Sequence, residues 1–191
     1  MSLSWDGSEY VTRHFSVEIH MDTYQTILSI RSVRQFDLSR PIAEAALHRV
    51  LQAGRMSGSS KDSQPWWFIV IRDRARLQAV SKTGDYAQHV AGAAFAVAIV
   101  FDPKFYRGEF DSGRTAQNMM LAAWNDGIGS CIASIHREDD GKAVLGVPQE
   151  LRLQHIISFG YPLPVDQSIP VVQKRRRKPL EEIVRRERWQ K

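Results

Sequence analysis

Apolar residues fall into short runs and helical spacings, separated by polar breaks that contain glycine and proline. Two uninterrupted apolar runs, residues 66–71 and 93–101, have the length and composition of buried strands, and the first strand is predicted to extend to Arg72. The second run is the longer and predicts the central strand of a sheet. Residues 156–159 predict another strand, halted by a Gly-Tyr-Pro step, and residues 130–133 predict a short extended segment.

Helical spacing marks the segments between these strands. Asp22 and Gln25 form a capping box that opens a short helix reaching residue 31. A second helix is predicted to start at Pro41, because proline is favoured in the first helical turn. The other predicted helices are one capped by Asp73 and closed near Gly84, a long one over 111–126, one over 138–145, and a final one over 180–189.

Strands and helices interleave without internal repeats, which predicts an α+β fold with a mixed or antiparallel sheet flanked by helices. A chain of 191 residues fits one domain, which we place at 21–191. Residues 1–20 have no clear period and are predicted to be an arm. No apolar run approaches the roughly 18 residues that cross a bilayer, and no signal-peptide pattern is visible. A cytoplasmic location is therefore expected.

The charge of the chain is concentrated in its last segment. The net charge is +5, whereas residues 174–191 carry nine Lys or Arg and three Glu, so the rest of the chain is close to neutral. Such a basic tail can bind nucleic acid or a membrane surface. It can equally bring arginines to the phosphate of a bound cofactor.

Several kinds of chemistry are disfavoured by composition. Cys131 is the only cysteine, which rules out an internal disulfide framework and is more typical of a packing residue than of a nucleophile. The six histidines show no metal-ligand spacing, and no serine-hydrolase motif is present. We therefore predict no metal site.

Three segments stand out as candidates for ligand binding. In the first, Arg31 and Arg34 flank Ser32, and two guanidiniums beside a hydroxyl are suited to a phosphate. In the second, a polar loop from Ser59 leads through Gln64-Pro65-Trp66 into a strand, which suits a flat ligand with a polar edge. The third is the Gly-Ile-Gly-Ser-Cys step at 127–131, where a helix stop is followed by backbone N–H groups.

In this order and spacing, the three segments resemble the flavin-binding segments of the nitroreductase family. The resemblance spans roughly residues 22–185 and implies a nitroreductase-like fold. It also implies a homodimer with two FMN sites at the subunit interface, and a C-terminal arm exchanged with the partner or packed on it. A basic C-terminal segment that reaches the FMN phosphate belongs to the same pattern, so we favour the cofactor interpretation of the tail over nucleic acid.

The resemblance implies a set of FMN-binding positions, and no catalytic side chain, because the cofactor carries the chemistry. These positions are Arg31, Ser32, Arg34, Ser59, Ser60, Asp62, Gln64, Ile132, Ala133, Ser134, Arg175 and Arg177.

The implied reaction is the reduction of a nitroaromatic, quinone, enone or similar small acceptor by NADH or NADPH, in ping-pong turnover through the flavin. The chain departs from the family pattern at Ile30, where an arginine is usual, at Asp62, where an asparagine is usual, and at residues 132–134. These departures motivate an alternative: a catalytically altered dimer of the same fold that binds flavin or a polyanion.

Overall fold

The sheet has four strands, all antiparallel, in the order β1-β2-β4-β3. The computed structural model describes residues 22–163 and 177–189. The strands are β1 Trp66–Ile71, β2 Phe95–Phe101, β3 Gly129–Ser134 and β4 Arg152–Gly160. The α+β class is thus confirmed, and the sheet is antiparallel rather than mixed. The predicted arm over residues 1–20 lies outside the described residues.

The middle of the sheet follows the hydrophobic pattern closely. Every residue of β2 is buried, because β2 lies between β1 and β4 and has helices on both faces. The prediction for β4 was too short, since the strand begins at Arg152 rather than Ile156. Its first half contains polar residues, Gln154 and His155, that are only half-buried, so this part lacks an apolar signature.

Six helices are described, and their bounds are α1 Thr23–Ser29, α2 Glu44–Arg55, α3 Arg74–Ser81, α4 Gly108–Asn125, α5 Glu138–Leu145 and α6 Leu180–Ile183. The prediction for α5 matches the structure, whereas α4 begins three residues earlier than expected. The final helix was predicted wrongly: α6 has only four residues, and Val184 is already extended. Its segment lacks buried residues, so no packing supports a longer helix.

Local chemistry fixes several helix ends as the sequence indicated. The Asp22 and Asp73 carboxylates each accept the backbone N–H three residues on, at 2.8 Å in both cases. Gly146 ends α5 in the left-handed region at φ 67°, where a side chain is disfavoured. These caps keep the helices short and set the loops that follow.

The sheet separates two apolar layers. On one face α2 and α4 pack over the sheet, with Phe95 and Phe159 stacked at 4.8 Å between ring centroids. On the other face α3 packs through Leu77 and Val80 in one cluster with Ile156 of β4, and apolar residues of α5 pack against that cluster. Because both faces of the sheet are buried, its polar backbone and side-chain groups are accessible mainly at its edges.

The outer edge of β3 is where the first candidate segment meets the sheet. Ser32 forms an isolated parallel bridge with Ser130, and the Val33 N–H donates to the Ser130 carbonyl at 2.9 Å. A Cβ at Gly129 would lie 2.7 Å from the Val33 side chain. A glycine at this position therefore permits the close approach that joins the first and third segments.

Candidate functional site

A cleft of about 790 Å³ lies along the outer edge of β3. It is lined by Arg34, Gln35, Tyr86, Gln88, His89, Ile132, Ala133, Ser134 and His136. The structure thus brings Arg34 together with Ile132, Ala133 and Ser134 from the third segment. The volume is in the range of small-molecule sites. We call it the edge cleft.

The main chain of β3 supplies hydrogen-bonding groups to this cleft. Because the carbonyl of Ser130 points outward to Val33, strand alternation also turns the N–H and C=O of Ile132 outward. Ala133 faces inward and pairs with Ile156 of β4. Of the three predicted positions, Ile132 and Ser134 therefore offer outward backbone groups, whereas the Ala133 N–H is directed into the sheet.

Arg34 supplies the positive charge of the edge cleft. It lies close enough to Cys131 to stabilise a thiolate, and Ser32 does the same, but burial outweighs both and raises the pKa of the Cys131 thiol. Cys131 is only 2% exposed. A buried thiol with a raised pKa remains protonated and unreactive, which agrees with a packing role.

Arg31 and Ile30 lie toward the last turn of α4. The Arg31 guanidinium is 5.8 Å from the ring centroid of Trp124, and the Trp124 indole N–H donates to the Ser29 hydroxyl at 2.9 Å. Ile30 is half-buried and its N–H closes α1 on Thr26. Arg31 does not line the edge cleft, whereas Arg34 does.

His89 is a cleft residue that the sequence did not single out. Its Nδ1 lies 2.7 Å from the Ser158 hydroxyl, which itself donates to the Cys131 carbonyl at 3.2 Å. Ser158 must therefore accept the Nδ1 hydrogen, and Nε2 is left as an acceptor without a partner among the described residues. Burial, aided by the nearby Arg34 charge, lowers the pKa of His89 and keeps the ring neutral.

His136 and Tyr86 form the rim of the edge cleft. The Asp85 N–H donates to His136 Nδ1 at 3.0 Å, and the Arg137 guanidinium pairs with the Asp85 carboxylate at 2.7 Å. That hydrogen bond from Arg137 lowers the pKa of Asp85. Tyr86 is 80% exposed and contacts the His136 ring edge-on at 6.4 Å.

These cleft residues had no visible signal in the sequence. Gln88 and His89 form a short 3₁₀ turn before β2, and His136 follows β3, so only the folded sheet edge brings them together. No spacing rule connects residues that meet through tertiary structure alone.

The second predicted segment has an unusual backbone. Lys61, Asp62 and Gln64 have φ angles of 54°, 52° and 43°, in the left-handed region that non-glycine residues seldom adopt. The Gln64 amide donates to the Asp62 carboxylate at 3.0 Å, and the Gln64 N–H donates to the Ser59 hydroxyl at 2.9 Å. Strained backbone of this kind is concentrated at binding sites and must be held by its surroundings.

This loop lies apart from the edge cleft within one chain. Ser60 is bonded to Asp111 in the first turns of α4, whereas Arg31 lies over Trp124 near its last turn. Asp111 and Trp124 are thirteen residues apart, or about 20 Å along the helix axis, so the loop also lies apart from Arg31. None of Ser59, Ser60, Asp62 or Gln64 lines the edge cleft.

A second cleft of about 790 Å³ lies over the first half of α4 and shares Ile132 with the edge cleft. Its lining is Tyr106, Arg107, Glu109, Phe110, Gly113, Arg114, Gln117, Ile132 and His155. Tyr106 and Phe110 are 90% and 63% exposed. Ile132 therefore separates a polar cleft from an aromatic one.

The basic tail is described only in part. Arg175 lies outside the described residues, and Arg177 is exposed. Leu180, Ile183 and Trp189 are also exposed, at 68%, 58% and 78%. The place of Arg175 and Arg177 in a site stays a prediction.

Two further observations bear on the kind of site. Within residues 22–163 and 177–189, no group of three or more His, Cys, Asp or Glu side chains is arranged to hold a metal ion. The described helices include none that is both long enough and apolar enough to cross a membrane.

The chain is therefore an α+β protein with an antiparallel sheet and an edge cleft that combines a cationic side chain with outward backbone groups. The family profile for the nitroreductase family matches residues 27–107 and 86–161. A relative from Archaeoglobus fulgidus, provisionally named an NADH dehydrogenase/NAD(P)H nitroreductase, is 32% identical over 145 residues, or 71% of this chain and 83% of the relative. The chain belongs to the nitroreductase family.

Solved structures agree with this assignment. Nitroreductase A from Vibrio parahaemolyticus aligns with a TM-score of 0.77 and 27% identity, over 88% of this chain and 77% of that one. NADPH:FMN oxidoreductase from Vibrio harveyi, solved in complex with NAD+, aligns with a TM-score of 0.76 and 25% identity, over 88% and 78%. The predicted nitroreductase-like fold is therefore confirmed.

Proposed function

We propose that this protein is an FMN-dependent oxidoreductase that uses NADH or NADPH to reduce a small electron acceptor such as a nitroaromatic, quinone or enone. The observation that carries the proposal is the edge cleft, which is lined both by Arg34 and by Ile132 with its outward N–H. The names of the relatives support it, since one is an NADPH:FMN oxidoreductase solved with NAD+.

The residues of the edge cleft fit FMN in chemistry and in size. A flavin has a polar edge that needs donors, and its phosphate needs a cation; the Ile132 N–H and Arg34 supply one of each. Gln88 adds a side-chain amide that can both donate and accept. His89 also lines the cleft, but its unpartnered Nε2 is buried. We assign Arg34, Gln88 and the outward N–H groups of Ile132 and Ser134 to FMN binding.

The chemistry that FMN would supply when bound is electron transfer from the nicotinamide to the acceptor, so the protein need supply no nucleophile. The tasks of the chain are binding and orientation. Arg34 would provide charge, the outward Ile132 N–H would provide a hydrogen-bond donor, and the bond to Ser158 holds the His89 proton on Nδ1.

We also propose that the complete site is formed by two copies of the chain. The strained loop at 59–64 carries four of the predicted FMN positions but does not line the edge cleft of its own chain. A homodimer related by a two-fold axis would bring the loop of the partner subunit to each edge cleft. A cytoplasmic location stays a prediction.

The visible absorption spectrum of the purified protein, before and after addition of FMN and desalting, tests the proposal. Retained flavin bands that bleach with NADH or NADPH and recover with a quinone are expected. A colourless protein that releases all added FMN would overturn it.

The alternative is a catalytically altered dimer of the same fold that binds flavin or a polyanion, motivated by Ile30, Asp62 and the altered segment 132–134. Deletion of residues 174–191 separates the two. We expect the deletion to abolish flavin retention. If flavin stays bound and only a salt-sensitive affinity for nucleic acid is lost, the alternative is correct.

A further inference from the structure

The first half of α4 presents three polar side chains on one face, toward the strained loop. Asp111, Arg114 and Asn118 are spaced i, i+3 and i+7, which places them on one stripe of the helix. Each contacts a different point of the segment 57–60. We call these three residues the α4 ladder.

The contacts of the ladder are specific. The Ser60 N–H donates to Asp111 Oδ2 at 2.9 Å, and the Asn118 amide donates to the Ser57 hydroxyl at 2.8 Å. Arg114 lies between them, with Nη1 at 3.6 Å from Asp111 Oδ1. A Cβ at Gly58 would lie 2.8 Å from Arg114 Nη2, so the loop backbone passes directly over this guanidinium.

Asp111 is the central member because its carboxylate is buried. The residue is 2% exposed, and burial of a charge is costly unless hydrogen bonds and a cation compensate. The Ser60 N–H and Arg114 provide that compensation, together with the position of Asp111 in the first turns of α4. The same hydrogen bond from the Ser60 N–H to the buried Asp111 carboxylate also holds the loop in place.

We propose that Asp111, with Arg114 and Asn118, is a positioning residue that holds the 59–64 loop in its ligand-ready conformation before any ligand binds. The left-handed φ angles at Lys61, Asp62 and Gln64 begin directly after Ser60, the residue that Asp111 anchors. Without the anchor, the loop relaxes toward ordinary backbone conformations and its side chains lose their arrangement. The ligand named here, FMN, rests on the proposed function, but the ladder is a property of the ligand-free chain.

The test compares four proteins: wild type, Asp111→Ala, Asp111→Asn and Asp126→Ala. Asp111→Ala removes the acceptor, whereas the amide oxygen of Asp111→Asn still accepts from Ser60. Asp126→Ala is the matched control, because Asp126, directly after α4, is also a mostly buried carboxylate in an ion pair, with Arg49 at 2.8 Å, but lies at the end of the helix remote from the loop. Amide hydrogen exchange of residues 57–64 is measured without FMN, and FMN affinity by fluorescence quenching.

We expect Asp111→Ala to speed exchange in the loop by about tenfold or more, the size expected for losing a hydrogen bond to a charged group. FMN affinity should fall by a similar factor. Asp111→Asn should recover most of both, and Asp126→Ala should leave loop exchange at the wild-type rate even where its melting temperature falls. Equal loop exchange in Asp111→Ala and wild type would overturn the proposal. So would faster loop exchange in Asp126→Ala that equals that of Asp111→Ala.

The exchange measurement does not depend on the cofactor. If no variant and no wild-type protein binds FMN, the proposed function fails, while loop exchange still decides whether the ladder holds the loop. If Asp111→Ala does not fold, Gly58→Ala replaces it. Its added methyl meets only the mobile end of Arg114, so the fold is retained while the ladder is disturbed.

Discussion

At the residue scale, Arg34 has the widest electrostatic influence in the edge cleft. Its charge acts on Cys131 and on His89, and in both cases burial is the larger cause of the pKa shift. The Arg34 guanidinium is exposed, although it lies near the buried Cys131 and the half-buried His89, so it can also bind an anionic ligand. Arg34 is therefore the side chain with which to test the cleft directly.

Arg34→Ala is expected to weaken FMN binding by about tenfold or more, because a charge-assisted contact is lost. The dissociation constant from flavin fluorescence quenching gives the measure. Arg40→Ala is the control, since Arg40 comes from the same segment but lies over the Tyr161 ring at 3.8 Å and does not line the cleft. An unchanged dissociation constant for Arg34→Ala would remove this residue from the site.

The two half-buried histidines should make the protein less stable in mild acid. Burial lowers the pKa of both His89 and His155, with Glu109 opposing the shift at His155. Each ring is therefore neutral in the folded state, and its full contribution is present above the unfolded pKa of about 6.5. As the pH falls through 6.5 toward the lowered folded pKa, the unfolded state binds protons first and stability is lost.

Urea unfolding from pH 7.5 to pH 5 measures this loss. The free energy of unfolding should fall with pH in the wild type, and the decline should be shallower in His89→Gln and in His155→Gln. A slope in these variants equal to that of the wild type would show that neither histidine is the cause.

At the element scale, the helices and strands that were predicted correctly are those whose own residues mark their ends. Asp73 caps the start of α3 and Gly146 ends α5, both through local hydrogen bonds. These two helices can therefore be predicted from the sequence. β4 and α6 were misjudged for tertiary reasons. Half-buried polar residues hide the start of β4, and α6 lacks a surface to pack on among the described residues.

The same reasoning explains what the motifs revealed of the site. Arg34 and Ile132 were identified because their segments carry a recognisable pattern, and the sheet edge brings them together. Gln88, His89 and His136 enter the cleft through tertiary structure, so no local pattern identifies them. That the 59–64 loop does not line the edge cleft is also a property of the fold, which no local pattern predicts.

Two glycines of different backbone conformation provide a test of helix ends. Gly146→Ala should lower stability by about 1 kcal/mol, because its φ of 67° is unfavourable for a side chain although no atom lies within 4 Å. Gly113→Ala is the matched opposite: it also has free space, but lies inside α4, and alanine is better by up to about 1 kcal/mol there. Melting temperatures that move in the same direction would contradict this account.

At the scale of the whole molecule, the separation of loop and cleft leads to a complementation test for the shared site. Arg34→Ala damages the cleft, and Ser59→Ala with Gln64→Ala damages the loop, so neither variant alone should hold FMN well. If each site takes its cleft from one chain and its loop from the other, mixed dimers contain one intact site. About a quarter of the sites should then recover on unfolding and refolding the two variants together.

The fraction of bound flavin after desalting measures this recovery, and refolding each variant alone provides the baseline. Sedimentation of the wild type should give twice the mass of the 191-residue chain. Flavin binding that does not rise above the baseline in the mixture would place the whole site within one chain. A flavin-loaded monomer would contradict the shared site altogether.

The outer edge of β3 also bears on how the protein avoids aggregation through the pairing of exposed strand edges. Ser32 and Val33 pack against the first part of this edge, and Gly84 lies against the Ser134 carbonyl at its end. Among the described residues, only the backbone around Ile132, between these two contacts, is left open. From Ser130 to Ser134 the strand rises only about 13 Å. Pairing with a strand of another molecule requires several consecutive residues with unpaired backbone groups, whereas a flat ring can bind to the backbone groups of a single residue. The contacts of Ser32, Val33 and Gly84 with β3 therefore disfavour aggregation through this edge and still leave space for a small planar ligand.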